Sequence, residues 1–160
     1  MELIKLVYGV EAGEIFKKWK EAHENSFLAS VFGMTGNEDL TLNYYDKDKD
    51  KMYSFSCKSP CEPNEQDFVK SGEEILPVRV ETIKVPIAEA LKKSYGVAEK
   101  NYSEQRLVRT IFALQVLGGK QVWNITFITA DYKTINIRID CISGDVIGHT
   151  VAKLSEFMEK

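Results

Sequence analysis

Three cysteines, four prolines and two histidines are spread through 160 residues, and each scarcity excludes something. An odd number of thiols in a chain long enough to fold alone is not a disulfide framework, so the cysteines are expected to be free. No segment approaches the roughly eighteen uninterrupted apolar residues of a membrane span, because the longest break at Gln115, Asn124 or Lys153. Charge of one sign is also missing. Against 21 basic residues stand 24 acidic ones, for a net charge of −3. No basic block is present to neutralise a run of phosphates, which argues against a nucleic-acid partner. Glu2 stands where a signal peptide has basic residues and Lys5 interrupts the short apolar start, so the chain is expected in the cytoplasm without a membrane association.

What is present is an ordinary globular composition, 44% apolar and 28% charged, which predicts one structural unit over residues 1–160 with a single core. Ile15, Phe16, Trp19 and His23 fall on one side of an amphipathic helix within Glu14 to His23. Three runs of period two follow, Phe27 to Met34, Leu40 to Tyr45 and Met52 to Cys57, separated by turn residues. They read as an antiparallel meander. A second helix is predicted from Pro86 through Ile87, Ala90, Leu91 and Tyr95, ending at Gly96. A second meander follows over Leu107 to Leu117, Val122 to Thr129 and Thr134 to Cys141. Val151, Leu154 and Met158 have the spacing of a short C-terminal helix, while Met1 to Val10 fits strand or helix equally.

The order helix, strand, strand, strand thus occurs twice, over about 11–58 and 86–148, joined by a packed connector at 59–85. At an offset of 84, Leu28 and Phe32 match Phe112 and Val116, and Tyr53, Phe55 and Cys57 match Ile137, Ile139 and Cys141. In the middle strand the best match moves to 85, setting Leu40, Leu42 and Asp46 over Ile125, Phe127 and Asp131. A one-residue slip would turn a strand's apolar set to the wrong face, so shared parity carries more weight than shared identity. The predicted fold is α+β, two helix-plus-meander repeats closed by a short C-terminal helix. Tight turns between successive strands exclude a parallel nucleotide-binding sheet. The connector is expected to hold a short helix near Gln66 to Lys70 and a strand near Ile75 to Val80.

The run Trp123-Asn124-Ile125-Thr126-Phe127, a hairpin, and then Ile135 to Val146 with its Asp140-Cys141-Ile142-Ser143-Gly144-Asp145 ending resembles the PepSY domain pattern. The resemblance covers residues 87–148, with the first half a degenerate copy. It implies a helix laid over an antiparallel sheet, no catalytic activity, and a regulatory role of the kind proposed for peptidase-propeptide domains. Independently of the family, Asp140 is placed to cap backbone amides as the chain leaves the strand, and Gly144 to supply a positive φ.

Other motifs have simpler readings. Asp46-Lys47-Asp48-Lys49-Asp50-Lys51 begins with the spacing of a calcium loop, but Lys51 stands where that loop needs glycine and Cys57 where it needs a bidentate glutamate. It reads as a solvated hairpin tip. Gly118-Gly119-Lys120 lacks the Walker spacing and reads as a turn. His23 and His149 lie on different elements with no metal-binding spacing, so no metal or cofactor is expected. Strand parity places Cys57 and Cys141 inward, whereas Cys61, after Pro60 in a polar connector, is the candidate exposed thiol. No nucleophile, base and orienting group come together in this sequence. The functional expectation is a non-catalytic binding or regulatory module that engages a protein or peptide partner, by strand addition or as a homodimer. The alternative is a small-molecule sensor or enzyme with a pocket between helix and sheet, lined by the tyrosines and polarised by Asp140 or His149.

Overall fold

Two helices open the chain, α1 (Leu3–Ala12) and α2 (Glu14–Glu21), in a computed structural model that describes residues 3–59, 61–66, 68 and 72–155. Leu3, Ile4, Val7 and Val10 recur at helical spacing in α1, and Val7 is its fully buried member. Four strands follow: β1 (Ser26–Met34), β2 (Thr41–Asp46), β3 (Lys51–Ser56) and β4 (Asn64–Gln66). After a 3₁₀ turn at Val80–Thr82 comes α3 (Ile87–Asn101), then β5 (Leu107–Leu117), β6 (Lys120–Thr129), β7 (Lys133–Asp140) and β8 (Val146–Lys153). All eight strands form one antiparallel sheet in the order β4-β3-β2-β1-β5-β6-β7-β8. The architecture is α+β, and no described helix is long and apolar enough to cross a membrane.

One face of the sheet carries the core. Val31, Leu42, Leu114, Ile125, Phe127, Ile135, Ile137 and Ile139 all point to it and are completely buried. The helices cover that face alone. Phe16 and Trp19 of α2 pack on Tyr44, Tyr53 and Phe55, with ring centroids 4.9–5.9 Å apart, and Tyr95 of α3 packs on Phe127. Aromatic clusters of this kind contribute beyond their buried area through edge-to-face geometry. Gly33 is required in β1 because a Cβ there would sit 2.4 Å from Cζ of Phe112 and 2.7 Å from Cδ2 of Leu40. Its absence lets the Phe112 ring lie across the strand.

Several expectations are corrected. The segment Val146–Lys153 is strand β8, paired with β7 from Lys133↔Lys153 to Ile139↔Val146, so the helix expected from Thr150 begins only at Leu154. The free edge of β7 offers its backbone a ladder, which a short isolated helix lacks. Met158 lies outside the described residues. Helix α3 runs past Gly96 to Asn101, because its buried stripe is Ala90, Ser94 and Ala98. Gly96 faces open space, and Tyr95, assigned to the inner face, is 43% exposed. Small residues at i, i+4 and i+8 let the helix approach the sheet closely.

Of the helix expected near Gln66 to Lys70, Gln66 closes the short strand Asn64–Gln66, Phe68 has no regular structure, and residues 67 and 69–70 lie outside the described residues. Ile75 to Val80 forms no strand. Both sides of β1 are already paired, so this segment crosses the covered face and makes one ladder-like bond, Val78 N to Leu28 O at 2.8 Å.

A bulge between Leu28 and Ser30 changes the parity of β1. Leu28 and Val31 both face the core, and Phe32, matched in sequence to Val116, turns to the opposite face at 38% exposure. The middle strands also pair differently from the sequence match. Tyr53 opposes Tyr44 and Ile137 opposes Ile125, so the register equates Tyr44 with Ile125, four residues away from the position the 85-residue offset assigns. Parity is preserved because the difference is even.

Candidate functional site

The face of the sheet opposite the helices carries polar side chains at its centre, and they bond to one another across strands. Ser54 Oγ donates to Asn43 Oδ1 at 2.5 Å, and Asn43 Nδ2 donates to Ser30 Oγ at 2.9 Å. On the other side Asn136 Nδ2 donates to Asn124 Oδ1, and Asn124 Nδ2 donates to Gln115 Oε1 at 3.3 Å. Ser30 and Gln115 are register partners where β1 meets β5. Two bonded rows of three side chains, Ser54–Asn43–Ser30 and Asn136–Asn124–Gln115, thus meet at the seam of β1 and β5 and together form a ladder from β3 to β7. Each is fixed by its neighbour, so little side-chain entropy remains to be lost on binding.

Apolar groups flank the ladder. On one side stand Phe32 and Ile111, and on the other Phe27 packs edge-on to Tyr45 at 5.8 Å with Phe68 leaning on Tyr45 at 5.7 Å. A polar centre held between aromatic rims is the composition of a protein-contact surface more than of a catalytic cleft. The alternation that places Tyr45 at the end of a strand does not by itself reveal the ladder. The signal was there in polar residues at alternate positions in strands, Asn43, Ser54, Asn124 and Asn136, which periodicity marks only as outward.

Between helices and sheet lies an apolar chamber of about 670 Å³, bounded by Leu3 and Ile4 of α1, Val31, Phe112, Trp123 and Ile87. Trp123 donates Nε1–H to the Val85 carbonyl at 2.8 Å, which ties the start of α3 to the sheet. The charged residues at the rim, Glu81 and Lys84, are both exposed. Neither Asp140 nor His149 lines it. No tyrosine lines it; Tyr8 and Tyr44 instead line a smaller space of about 350 Å³ beside Val7, Phe16 and Leu28.

Asp140 sits at the β7 exit. Its Oδ1 accepts from the amides of Ile142 at 2.8 Å and Ser143 at 3.1 Å, and these bonds hold its carboxyl below the ordinary carboxylate range. Gly144 has φ of +81°, and its carbonyl accepts from Lys93 Nζ of α3 at 2.5 Å. Both are fastened into one turn. His149 Nδ1 meets the Tyr102 hydroxyl at 2.7 Å on the exposed surface. His23 Nδ1 lies 2.6 Å from Asp46 Oδ2 in a buried setting, and Asp46 Oδ1 accepts from the amides of Asp48 and Lys49. That carboxylate thus organises the hairpin tip. Among the described residues no group of three His, Cys, Asp or Glu side chains is placed to hold a metal ion.

Cys141 is buried and Cys61 exposed, but Cys57 is half-buried, one residue beyond the end of β3. Burial, then the nearby Asp39 carboxylate, pushes the Cys57 thiol up to about 11. A thiol reagent applied to the native protein is expected to modify Cys61 first, Cys57 much more slowly and Cys141 only on unfolding, as read by mass spectrometry of the labelled peptides. Modification of Cys57 as fast as Cys61 would overturn this placement.

No family model matches the chain, and no curated protein matches it. The crystal structure of a putative lipoprotein from Clostridium difficile 630 is similar, with a TM-score of 0.53 and 12% sequence identity over 85% of this chain and 89% of that one. At that identity the likeness is one of fold.

Proposed function

We propose that this chain is a non-catalytic module that binds another polypeptide through the open face of its sheet. The observation that carries the reading is the pair of hydrogen-bonded rows, Ser54–Asn43–Ser30 and Asn136–Asn124–Gln115, prearranged and flanked by Phe32 and by the Phe27–Tyr45 pair. A surface of this type offers fixed donors and acceptors to a partner backbone and aromatic anchors at the rims. Two further features support the reading. The charged groups that line the interior chamber stay at its exposed rim, and His23 and His149 are each engaged by a structural neighbour.

We also infer that the chain is a tandem duplication, PepSY-like in its second half. In support, four consecutive strands follow α2 in the first half and α3 in the second, α1 having no counterpart, and β1 and β5 meet at the centre of the sheet. Val31 and Leu114, directly opposite each other and completely buried, occupy corresponding places in the two meanders. The open face would then be two copies of one surface joined side by side.

A photo-crosslinking phenylalanine analogue at Phe32, with the same analogue at exposed Lys92 of α3 as control, tests the binding face. Transfer to a second polypeptide from position 32 and not from position 92 is the expected result. Equal transfer from both positions, or none from either, overturns it. A second reading, an apolar small-molecule site, has the 670 Å³ chamber in its favour. An apolar ligand seated there would shift the emission of Trp123, which a fluorescence titration detects.

A further inference from the structure

The interior chamber and its smaller neighbour are two parts of one path. Val80 and Glu81 line both, and along α1 the lining passes from Leu3 and Ile4 beside the chamber of about 670 Å³ to Val7, Tyr8 and Glu11 beside the space of about 350 Å³. Leu3 to Glu11 covers about 12 Å of helix axis, so the path is long as well as apolar. Protein interiors pack to the density of organic crystals and hold few voids larger than a water molecule, which makes a space of this length a built feature of the fold. Water is poorly served within it. The Trp123 indole N–H is taken by the Val85 carbonyl, and Val31, Leu40, Phe112 and Ile87 offer no polar side-chain atom.

The two ends of the path differ in charge. At the far end the polar groups are already engaged: the Tyr44 hydroxyl donates to Glu11 Oε2 at 2.9 Å, and Lys20 Nζ donates to the carbonyl of Ser26 at 2.5 Å and to its hydroxyl at 3.0 Å. Glu81 stands at the junction of the two spaces. At the near end Lys84, just before α3, lines the chamber from its exposed rim, and among the described residues its ammonium has no hydrogen-bond or ion-pair partner. We propose that this path binds a medium-chain fatty acid, with the alkyl chain laid beneath α1 and the carboxylate at Lys84. The inference deepens the apolar small-molecule reading given above and rests on it. Burial of the chain supplies most of the affinity, while an exposed lysine adds little and decides the choice of head group.

Calorimetric titration of the whole chain with decanoate, decanol and decylamine at neutral pH tests the proposal. Among straight-chain carboxylates, affinity is expected to rise about threefold per methylene and to level off at about ten carbons, where the chain meets the Tyr44–Glu11 pair. Decanoate is expected to bind about threefold better than decanol, with decylamine weaker still. Lys84→Glu, a change at an exposed side chain, is expected to reverse the order of decanoate and decylamine. Position is read from Trp123. Decanoate is expected to shift the tryptophan emission of the parent and not that of Trp123→Phe, whose remaining Trp19 lines neither space. If none of the three compounds binds, the apolar reading itself fails and the proposal with it. If all three bind alike in the parent and in Lys84→Glu, the chamber is an apolar site but not one for a fatty acid, and the proposal alone falls. A shift that persists in Trp123→Phe puts the ligand elsewhere on the molecule and overturns it as well.

Discussion

Trp123→Ala is expected to lower the free energy of unfolding by about 3–5 kcal/mol, a large part of the whole for a domain of this size. The side chain is 2% exposed and packs edge-on against Phe112 at 6.3 Å. It also bounds the interior chamber, so truncation enlarges a space that already exists instead of drawing the walls inward. The cost of a large-to-small substitution rises with the cavity left behind, which puts this site toward the upper end of the range. A second loss comes from the Val85 carbonyl, whose indole donor at 2.8 Å is removed. Trp123→Phe separates the two terms. It keeps most of the apolar volume, gives up the donor, and is expected to cost about 1–3 kcal/mol. Urea unfolding of the two variants measures both, and an alanine variant within about 1 kcal/mol of the parent contradicts the packing described.

The elements that sequence made legible are those whose pattern is set locally. Strands β1 to β3 and β5 to β7 announce themselves by alternation and turn residues, and α2 by Phe16 and Trp19 one turn apart. What escaped depends on tertiary partners. Val151 fits a helical face as well as a strand, and the unoccupied side of β7 decides for strand as far as Lys153, with helix only from Leu154. Gly96 looks like a helix stop until Ala98 is seen against the sheet. The bulge at Leu28/Ser30 inserts one residue without any glycine to mark it, and so turns Phe32 outward. The site was less legible still. Asn43, Ser54, Asn124 and Asn136 are unremarkable one by one, and only the sheet order brings them into two rows that meet. Asp140 and Gly144 were readable because a carboxylate and a glycine four residues apart make their turn from local geometry alone.

The largest electrostatic effect is expected at Asp46. This carboxylate is 1% exposed and holds His23 Nδ1 on one oxygen and the Asp48 and Lys49 amides on the other. His23 in turn stacks on Trp19 at 4.4 Å and meets Tyr53 edge-on at 4.6 Å, so one side chain links the hairpin tip to α2 and the aromatic cluster. Asp46→Ala strands a buried imidazole N–H and two amides, and is expected to cost about 3–5 kcal/mol. Burial alone raises the Asp46 pKa, but the bond from His23 and those from the amides of Lys49 and Asp48 outweigh it and leave the pKa below that of a free aspartate. A group with a lowered folded pKa contributes stability that is complete above its unfolded value, near 4, and is lost as pH falls through the folded value. Acid unfolding of the parent is therefore expected to steepen below about pH 4. Asp46→Asn, which keeps the shape and has no proton to gain, is expected to be less stable at neutral pH and to lose less on acidification. Denaturant midpoints taken from neutral pH down to pH about 3 for both proteins compare the slopes. Parallel curves would remove Asp46 from the acid sensitivity of this fold.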